Sequence, residues 1–147
     1  MSKIIIVGIM ALTFLSCPSN SKKSNLSAQI DNSSKQDQST LEASIIRGKN
    51  VYEDMCITCH MPNGKGVPKA FPPLADSDYL RAKQTESIKA VKYGMSGEIL
   101  VNGVTYNSTM APLGLSDEEV ADVMNYINNS WGNTIENFVT IEKVSEL

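Results

Sequence analysis

The pentapeptide Cys56-Ile57-Thr58-Cys59-His60 is the feature that most constrains what this chain can fold into. Two thiols at positions i and i+3 lie on one face of a helix, so both sulfurs can reach two carbons on one edge of a porphyrin. The histidine that follows places a neutral imidazole nitrogen under the ring, where it can bind iron. Because this spacing is the attachment signature of a c-type haem, we expect one covalent haem c at Cys56 and Cys59, with His60 as an iron ligand.

Two other chemistries use a pair of cysteines at this spacing. A structural zinc site usually takes four Cys or His ligands in two separated pairs, whereas the chain has three Cys and one His. A thioredoxin-like dithiol follows a strand within a βαβ unit, whereas this motif ends a helical pattern and precedes a loop rich in Gly and Pro. Both alternatives require Cys56 and Cys59 to be free of porphyrin.

Residues 1–17 have the pattern of an export signal. Lys3 is the only charged residue before an apolar run that ends at Leu15, which is shorter than the roughly 20 residues that span a bilayer but suits a signal-peptide core. Phe14-Leu15-Ser16-Cys17 resembles a bacterial lipoprotein box, in which the cysteine is lipidated and becomes the mature N-terminus. We therefore expect export to the periplasm or cell envelope with Cys17 as a membrane anchor; cleavage without lipidation is the alternative.

The rest of the chain divides into a linker and one small domain. Residues 18–44 are rich in Ser, Asn, Gln and Lys, and such a segment buries too little apolar surface to offset the entropy of ordering it. We expect a disordered linker there and a domain over residues 45–147, whose small core a porphyrin would complete. That domain carries nine Lys or Arg against thirteen Asp or Glu, so its negative charge gives no reason to expect a nucleic-acid partner.

Helix caps and turn residues predict the elements of this domain. The first helix is expected from Ile45 to about Thr58, with Gly48 permitting the close approach of another helix. Further elements are a short helix capped by Ser77 or Asp76, a helix over 86–93 between Thr85 and Gly94, and a hairpin over 99–106 that turns at Asn102-Gly103. A long helix begins with the capping box Ser116 and Glu119, presents one apolar face as far as Trp131 and ends at Gly132, and a final segment from Thr140 covers the core.

In this order, the chain resembles the small single-haem cytochromes c of bacteria, the soluble class I type. The resemblance covers most of residues 45–132 and rests on Gly48, Tyr52, the haem motif, Gly64-x-Gly66, Phe71-Pro72-Pro73-Leu74, Gly94-x-x-Gly97, Val101-Asn102-Gly103-x-x-Tyr106, Met110, and Leu115 to Glu119 leading to Tyr126-Ile127. It implies an all-α cytochrome c fold with three main helices around one haem. The first and last helices would cross near Gly48, Tyr52 and Tyr126, and a small hairpin would precede the loop of a Met ligand.

The second axial position of the iron is the open question of the sequence. His60 is the only histidine, so a second His from the same chain is excluded, which leaves Met, Lys, Tyr, an α-amine, water or no ligand. The family that the chain resembles uses Met, and only Met95 and Met110 lie in loop-like surroundings away from the haem motif. We expect Met110, which follows His60 by fifty residues, as in the family.

The resemblance also implies supporting roles around the iron ligands. The carbonyl of Pro72 occupies the family position that accepts a hydrogen bond from His60 Nδ1, which fixes the imidazole tautomer. Tyr106 and Asn107 are candidates for hydrogen bonds to a haem propionate or to the Met sulfur.

The function that follows is electron transfer rather than enzymatic catalysis. Electrons would come from a dehydrogenase or quinol-oxidising complex and pass to a terminal oxidase or reductase, with docking at the rim around Met61-Pro62 and Ala111-Pro112. The main alternative is a haem enzyme or gas sensor with an open sixth coordination position. A thiol–disulfide exchanger and a zinc protein are the other two.

Overall fold

The computed structural model describes the backbone of residues 25–147 and the side chains of residues 40–147. The predicted signal peptide, including Cys17, and residues 18–24 of the predicted linker lie outside the described residues. The elements in chain order are α1 (Asn25–Met55), α2 (Ile57–His60), α3 (Asp78–Ala82), α4 (Gln84–Tyr93), β1 (Ile99–Val101), β2 (Val104–Tyr106), α5 (Asp117–Asn128) and α6 (Ile141–Ser145). Within the described part of the chain, no helix is both long and apolar enough to cross a membrane.

Helix α1 begins well before the predicted start at Ile45. It runs from Asn25, so residues 25–44 are helical where composition predicted disorder. No Gly or Pro occurs between Asn25 and Gly48, and adding a residue to an existing helix costs far less than nucleating one. The composition of residues 18–44 indicates that they cannot form a core of their own. A helix can nevertheless extend outward from an end that is packed against the domain. The division into 1–17, 18–44 and 45–147 remains a prediction.

Helices α1 and α5 cross at Gly48. A Cβ built on Gly48 would overlap the carbonyl oxygen of Asp122, so only glycine permits this approach, as the sequence predicted. One turn later, Tyr52 is 1% exposed, and its ring centroid lies 5.5 Å from that of Tyr126 and 4.8 Å from that of Trp131. Three aromatic rings therefore pack against one another at the crossing.

A partly buried polar network joins the helices at the same crossing. Both carboxylate oxygens of Asp122 accept hydrogen bonds from the Arg47 guanidinium, at 2.6 and 2.7 Å, and Oδ1 also accepts one from Ser44 Oγ at 2.6 Å. Asn125 Nδ2 donates to Ser44 Oγ at 2.9 Å and to the carbonyl of Val139 at 2.8 Å. The network thus joins α1, α5 and the segment that leads into α6.

The end of α5 corrects the predicted position of Trp131. The helix ends at Asn128, and Trp131 lies beyond it with a φ of 50°, so the indole reaches the aromatic cluster from a turn and not from the helix face. The physical cause is the local sequence. Asn129 Nδ2 donates to the carbonyl of Asn125, and Ser130 Oγ donates to that of Tyr126, so side chains bond the last helical carbonyls and stop the helix.

The remaining caps and the hairpin follow the sequence closely. The predicted N-caps Ser77 and Ser116 are confirmed, Ser116 as part of a full capping box with Glu119, and Thr140, where the final segment was expected to begin, is the N-cap of α6. Helix α6 covers the core through Val144, which is fully buried. Helix α4 differs from its prediction, because it starts at Gln84, directly after α3. Lys83 is both the C-cap of α3 and the N-cap of α4, so Thr85 is not the cap of α4.

The hairpin pairs Ile99 with Tyr106 and closes at Val101 and Val104. Asn102 and Gly103 between them have φ values of 48° and 74°, as a type I′ turn requires. Asn102 also exchanges hydrogen bonds of 3.0 and 2.7 Å with Asp78. These bonds fix the tip of the hairpin against the start of α3.

Candidate functional site

The Cys-x-x-Cys-His motif lies where α1 passes into α2. Cys56 N–H donates to the Tyr52 carbonyl at 2.9 Å, and His60 N–H donates to the Cys56 carbonyl at 2.9 Å, so helical geometry continues through the motif. Both thiols are free and both line one cavity. The structure therefore gives the two sulfurs the common face that the spacing predicted.

His60 is held by the loop that follows the motif. Its Nδ1 lies 3.0 Å from the carbonyl oxygen of Pro72, and because a carbonyl only accepts, Nδ1 carries the proton and Nε2 keeps its lone pair. Burial lowers the pKa of His60, an effect that the bond to Pro72 partly opposes. The ring is therefore neutral, with one nitrogen available to a metal.

The cavity has a volume of about 300 Å³ and is walled mainly by apolar side chains. Besides the motif, its lining includes the Phe71 to Leu74 segment, residues from the hairpin, the loop around Met110, and Met124 and Ile127 of α5. Thiols, a neutral imidazole nitrogen and thioethers on an apolar cavity match the chemistry of a covalently bound haem. The residues present therefore fit the predicted cofactor.

Met110 lies on this cavity and is paired with Met95. The two residues form an antiparallel bridge, in which Met95 N–H donates to the Met110 carbonyl at 2.8 Å and Met110 N–H donates back at 2.9 Å. A Cβ on Gly94 would lie 2.5 Å from the Met110 carbonyl oxygen and 2.8 Å from Pro112 N, so glycine is needed for the two segments to meet. Both methionines line the cavity, and the Met110 ligand role stays a prediction.

Sequence reasoning missed the pairing of these two methionines, although the signal was present. Four residues outward along each strand from the Ile99–Tyr106 pair lie Met95 and Met110, so the bridge keeps the register of the hairpin. The hairpin predicted from Asn102-Gly103 therefore already implied that Met95 lies opposite Met110 if its register continues beyond the strands.

The other predicted residues separate into those that line the cavity and those that do not. Tyr106 lines it and is 6% exposed, whereas Asn107 is exposed and outside the described lining. Of the expected docking rim, Ala111 lines the cavity and is exposed, whereas Met61, Pro62 and Pro112 lie outside its lining. Met55 and Met124 also line it, although the sequence argument set both aside.

The two alternatives without haem gain nothing from the geometry. Burial, with a smaller contribution from Cys59, raises the pKa of Cys56 to about 11, so this thiol is protonated near neutral pH, whereas exchange chemistry needs a thiolate. In the part of the chain that the structure describes, no three His, Cys, Asp or Glu side chains are grouped to hold a metal ion.

The sequence of the chain matches one protein family and several known proteins. The family model described as cytochrome c matches residues 45–131. The chain is similar to cytochrome c-552 of Thermus thermophilus, with 40% identity over 90 residues, which are 58% of this chain and 68% of that protein.

Two cytochrome c subunits of dehydrogenases are also similar. The subunit of the quinone alcohol dehydrogenase of Gluconobacter oxydans is 35% identical over 104 residues, and that of the gluconate 2-dehydrogenase of Pantoea cypripedii is 33% identical over 104 residues. Each match covers 68% of this chain but only 21% and 23% of the respective subunit. The chain thus corresponds to a small part of those longer proteins.

Proposed function

The chain belongs to the cytochrome c family, and from this premise we propose that it is an exported single-haem electron carrier with His60 and Met110 as axial iron ligands. At the level of the family, the function is electron transfer with covalently bound haem c. The observation that supports the finer proposal is the cavity on which Cys56, Cys59 and His60 of the motif and Met110 of a distant loop converge. We propose a carrier and not an enzyme.

The protein residues have distinct tasks in this proposal. Haem c supplies reversible one-electron exchange at iron when it is bound. Cys56 and Cys59 hold it through thioether bonds, and His60 offers Nε2 because Nδ1 is bonded to Pro72. That bond also fixes the orientation of the ring and increases the basicity of the ligating nitrogen. The apolar lining excludes water and, with a thioether ligand, favours the ferrous state.

Met110 is supported as the second ligand by its position and its chemistry. It lies in a loop that backbone hydrogen bonds to Met95 hold against the cavity. Its thioether is a neutral, soft donor of the kind that ferrous iron accepts. Tyr106, buried on the same wall, would donate a hydrogen bond to a propionate or to the ligand sulfur.

Cellular placement and partners complete the proposal. We propose that residues 1–17 direct export to the periplasm or cell envelope, that Cys17 is lipidated and holds the protein at a membrane, and that residues 18–44 separate the anchor from the domain. The partners would be redox proteins, with a dehydrogenase or quinol-oxidising complex as donor and an oxidase or reductase as acceptor. The names of the related dehydrogenase subunits support a dehydrogenase donor.

An absorbance spectrum of the purified protein tests the core of the proposal. We expect a reduced spectrum with a sharp low-spin α band and a ferric spectrum with a methionine-to-iron charge-transfer band. A broad high-spin spectrum would instead favour the haem enzyme or sensor with an open position. Absence of a Soret band would refute covalent haem binding altogether.

A separate variant tests the anchor. Each buried methylene of an acyl chain contributes about 0.8 kcal/mol to membrane binding, so the wild-type protein should fractionate with membranes. Cys17→Ser should give a soluble form or an unprocessed precursor. A correctly cleaved Ser variant that still fractionates with membranes would refute lipidation at Cys17.

A further inference from the structure

Met95 and Met110 are equivalent in their access to the cavity. They are directly opposed in an antiparallel bridge whose two backbone hydrogen bonds are both made. In a hydrogen-bonded pair of this kind, the Cα atoms are about 5.5 Å apart and the two side chains leave the same face. That face is the cavity face, because Met95 and Met110 both line the cavity.

The hairpin contributes to the same cavity wall as the bridge. Ile99, Val101, Tyr106 and Ser108 line the cavity, as do Thr109 and Ala111 on either side of Met110. Leu100, which is outside the lining, is 60% exposed. The Met95 side chain therefore faces the cavity from the same bridge that carries Met110.

The segments that carry the two methionines are held at close range. The space that a Cβ on Gly94 would take is occupied by the Met110 carbonyl and Pro112 N, so the chain just before Met95 packs directly on the loop of Met110. A methionine side chain has three rotatable bonds and no branch. Its sulfur can therefore move over several ångströms without moving the bridge.

The other potential donors on the cavity are less suited to replace Met110. Met124 is 1% exposed in the middle of α5, where helix packing fixes it. Met55 directly precedes Cys56 on the helix that carries the first thiol. Tyr79 and Tyr106 offer phenolic oxygens, which are harder donors than a thioether, and no Lys lines the cavity among the described residues.

We propose that Met95 is a reserve axial ligand, whose thioether occupies the iron whenever Met110 does not. The proposal rests on the His/Met ligation proposed above. Two soft, neutral sulfurs on one rigid bridge would keep the iron six-coordinate and low-spin when the first is lost. Removal of Met110 alone would then change which methionine binds, and not whether a methionine binds.

The test compares ferric spectra of variants in the otherwise intact haem protein. Met110→Ala should retain a methionine-to-iron charge-transfer band, whereas Met110→Ala combined with Met95→Leu should lose it. The matched control combines Met110→Ala with Met55→Leu, which removes another cavity methionine that lies outside the bridge, and should retain the band. Met110→Leu preserves side-chain volume and replaces Met110→Ala throughout if the smaller side chain prevents folding.

Imidazole titration gives a second readout. A binding-competent fraction of about one tenth weakens apparent affinity about tenfold, so a position that Met95 fills nine tenths of the time should bind imidazole about tenfold more weakly in Met110→Ala than in the double variant. Equal affinities, together with loss of the band in Met110→Ala, would overturn the reserve role while the wild-type band still supports Met110.

Two further results separate this inference from the function on which it rests. A wild-type protein without the methionine band would refute His/Met ligation, and the inference with it. Loss of the band in Met95→Leu alone would make Met95 the resident ligand, which overturns the proposed order of the two methionines.

Discussion

The α1–α5 crossing and the loop wall of the cavity stabilise one domain in opposite ways. At the crossing, protein atoms pack directly on one another: Gly48 lies against the Asp122 backbone, three aromatic rings pack together, and both oxygens of the Asp122 carboxylate accept hydrogen bonds. The wall, residues 61–114, instead encloses a cavity of about 300 Å³. The crossing is complete without a cofactor, and the wall is not.

The wall depends on backbone hydrogen bonds between loops. The N–H groups of Leu74 and Ala75 donate to the carbonyl of Gly64 at 2.7 and 2.8 Å, and isolated bridges join Val67 to Phe71 and Met95 to Met110. These bonds hold the backbone of the wall, whereas its cavity-facing side chains depend on a bound group for the dispersion contacts that a packed neighbour gives. The comparison teaches that the loop wall depends on the haem more than the crossing does, although Met124 and Ile127 of α5 also line the cavity.

The largest expected effect is therefore removal of the covalent attachment. We predict that Cys56→Ala combined with Cys59→Ala gives little or no stable haem protein and abolishes cooperative unfolding, because the wall loses the group it packs against. Haem content after purification and thermal unfolding by circular dichroism measure this. Thr58→Ala changes an exposed residue inside the same motif and should leave both unchanged. A folded, cooperative double variant without haem would show that the wall supports itself.

The next prediction breaks the crossing. Gly48→Ala adds a methyl group where the Asp122 carbonyl already lies, and overpacking of this kind costs about 3 kcal/mol. We expect the free energy of unfolding of the haem protein, from denaturant titration, to fall by that order. Asn50→Ala, at an exposed position of the same helix, is the control and should change little. A loss below about 1 kcal/mol would mean that α1 can shift on α5, contrary to the comparison.

A smaller effect is expected from the polar part of the crossing. Asp122→Asn keeps the size of the side chain but removes the charge that accepts from Arg47 and Ser44, and we predict a loss of about 2 kcal/mol. The Asp122 side chain is 6% exposed, so water cannot replace these bonds. Chemical denaturation of the haem protein measures the loss.

The control for this prediction lies on the same helix. Lys49 and Glu53 form an exposed pair at 3.7 Å, and such pairs contribute between about 0 and 1 kcal/mol. Glu53→Gln should therefore change the free energy of unfolding much less than Asp122→Asn. Equal losses would show that burial of Asp122 adds nothing to its interactions.

The two regions also differ in how far sequence predicted them. Gly48, the Ser116–Glu119 capping box and the Asn102-Gly103 turn are recognisable in the sequence, because a close helix approach, a helix N-terminus and a type I′ turn each accept few residue types. The Cys-x-x-Cys-His motif is a local signal too, because its spacing on a helix places both thiols on one face. Those elements are present where the sequence put them.

The features that the sequence did not predict have different causes. The early start of α1 at Asn25 depends on extension from a packed end, and the exit of Trp131 from the helix depends on hydrogen bonds by Asn129 and Ser130. The Met95–Met110 bridge was implied by the hairpin register, but only after the register was extended beyond the strands. Asn107, which the family resemblance suggested as a hydrogen-bond donor near the haem, lies outside the described cavity lining.

The smallest predicted effect concerns the N-terminus of α5, where the loop wall ends and the helix of the crossing begins. Ser116 N–H and Oγ both donate to Glu119 at 2.8 Å, which lowers the pKa of that carboxyl below its ordinary 4.5. Since the folded-state pKa is the lower one, the box stabilises fully above pH 4.5 and loses its effect as the pH falls through the folded-state pKa.

Ser116→Ala should lower the free energy of unfolding by about 1 kcal/mol at neutral pH, with little change in haem spectrum because neither Ser116 nor Glu119 is part of the described cavity lining. Glu119→Gln should cost stability at neutral pH, and its difference from wild type should shrink as the pH falls below 4.5. Denaturant titrations at several pH values measure both, with Glu118→Gln, an exposed neighbour outside the box, as the control. A difference that stays constant on acidification would show that the Glu119 charge does not act through the cap, and a changed haem spectrum in Ser116→Ala would show that the crossing and the wall are coupled at this junction.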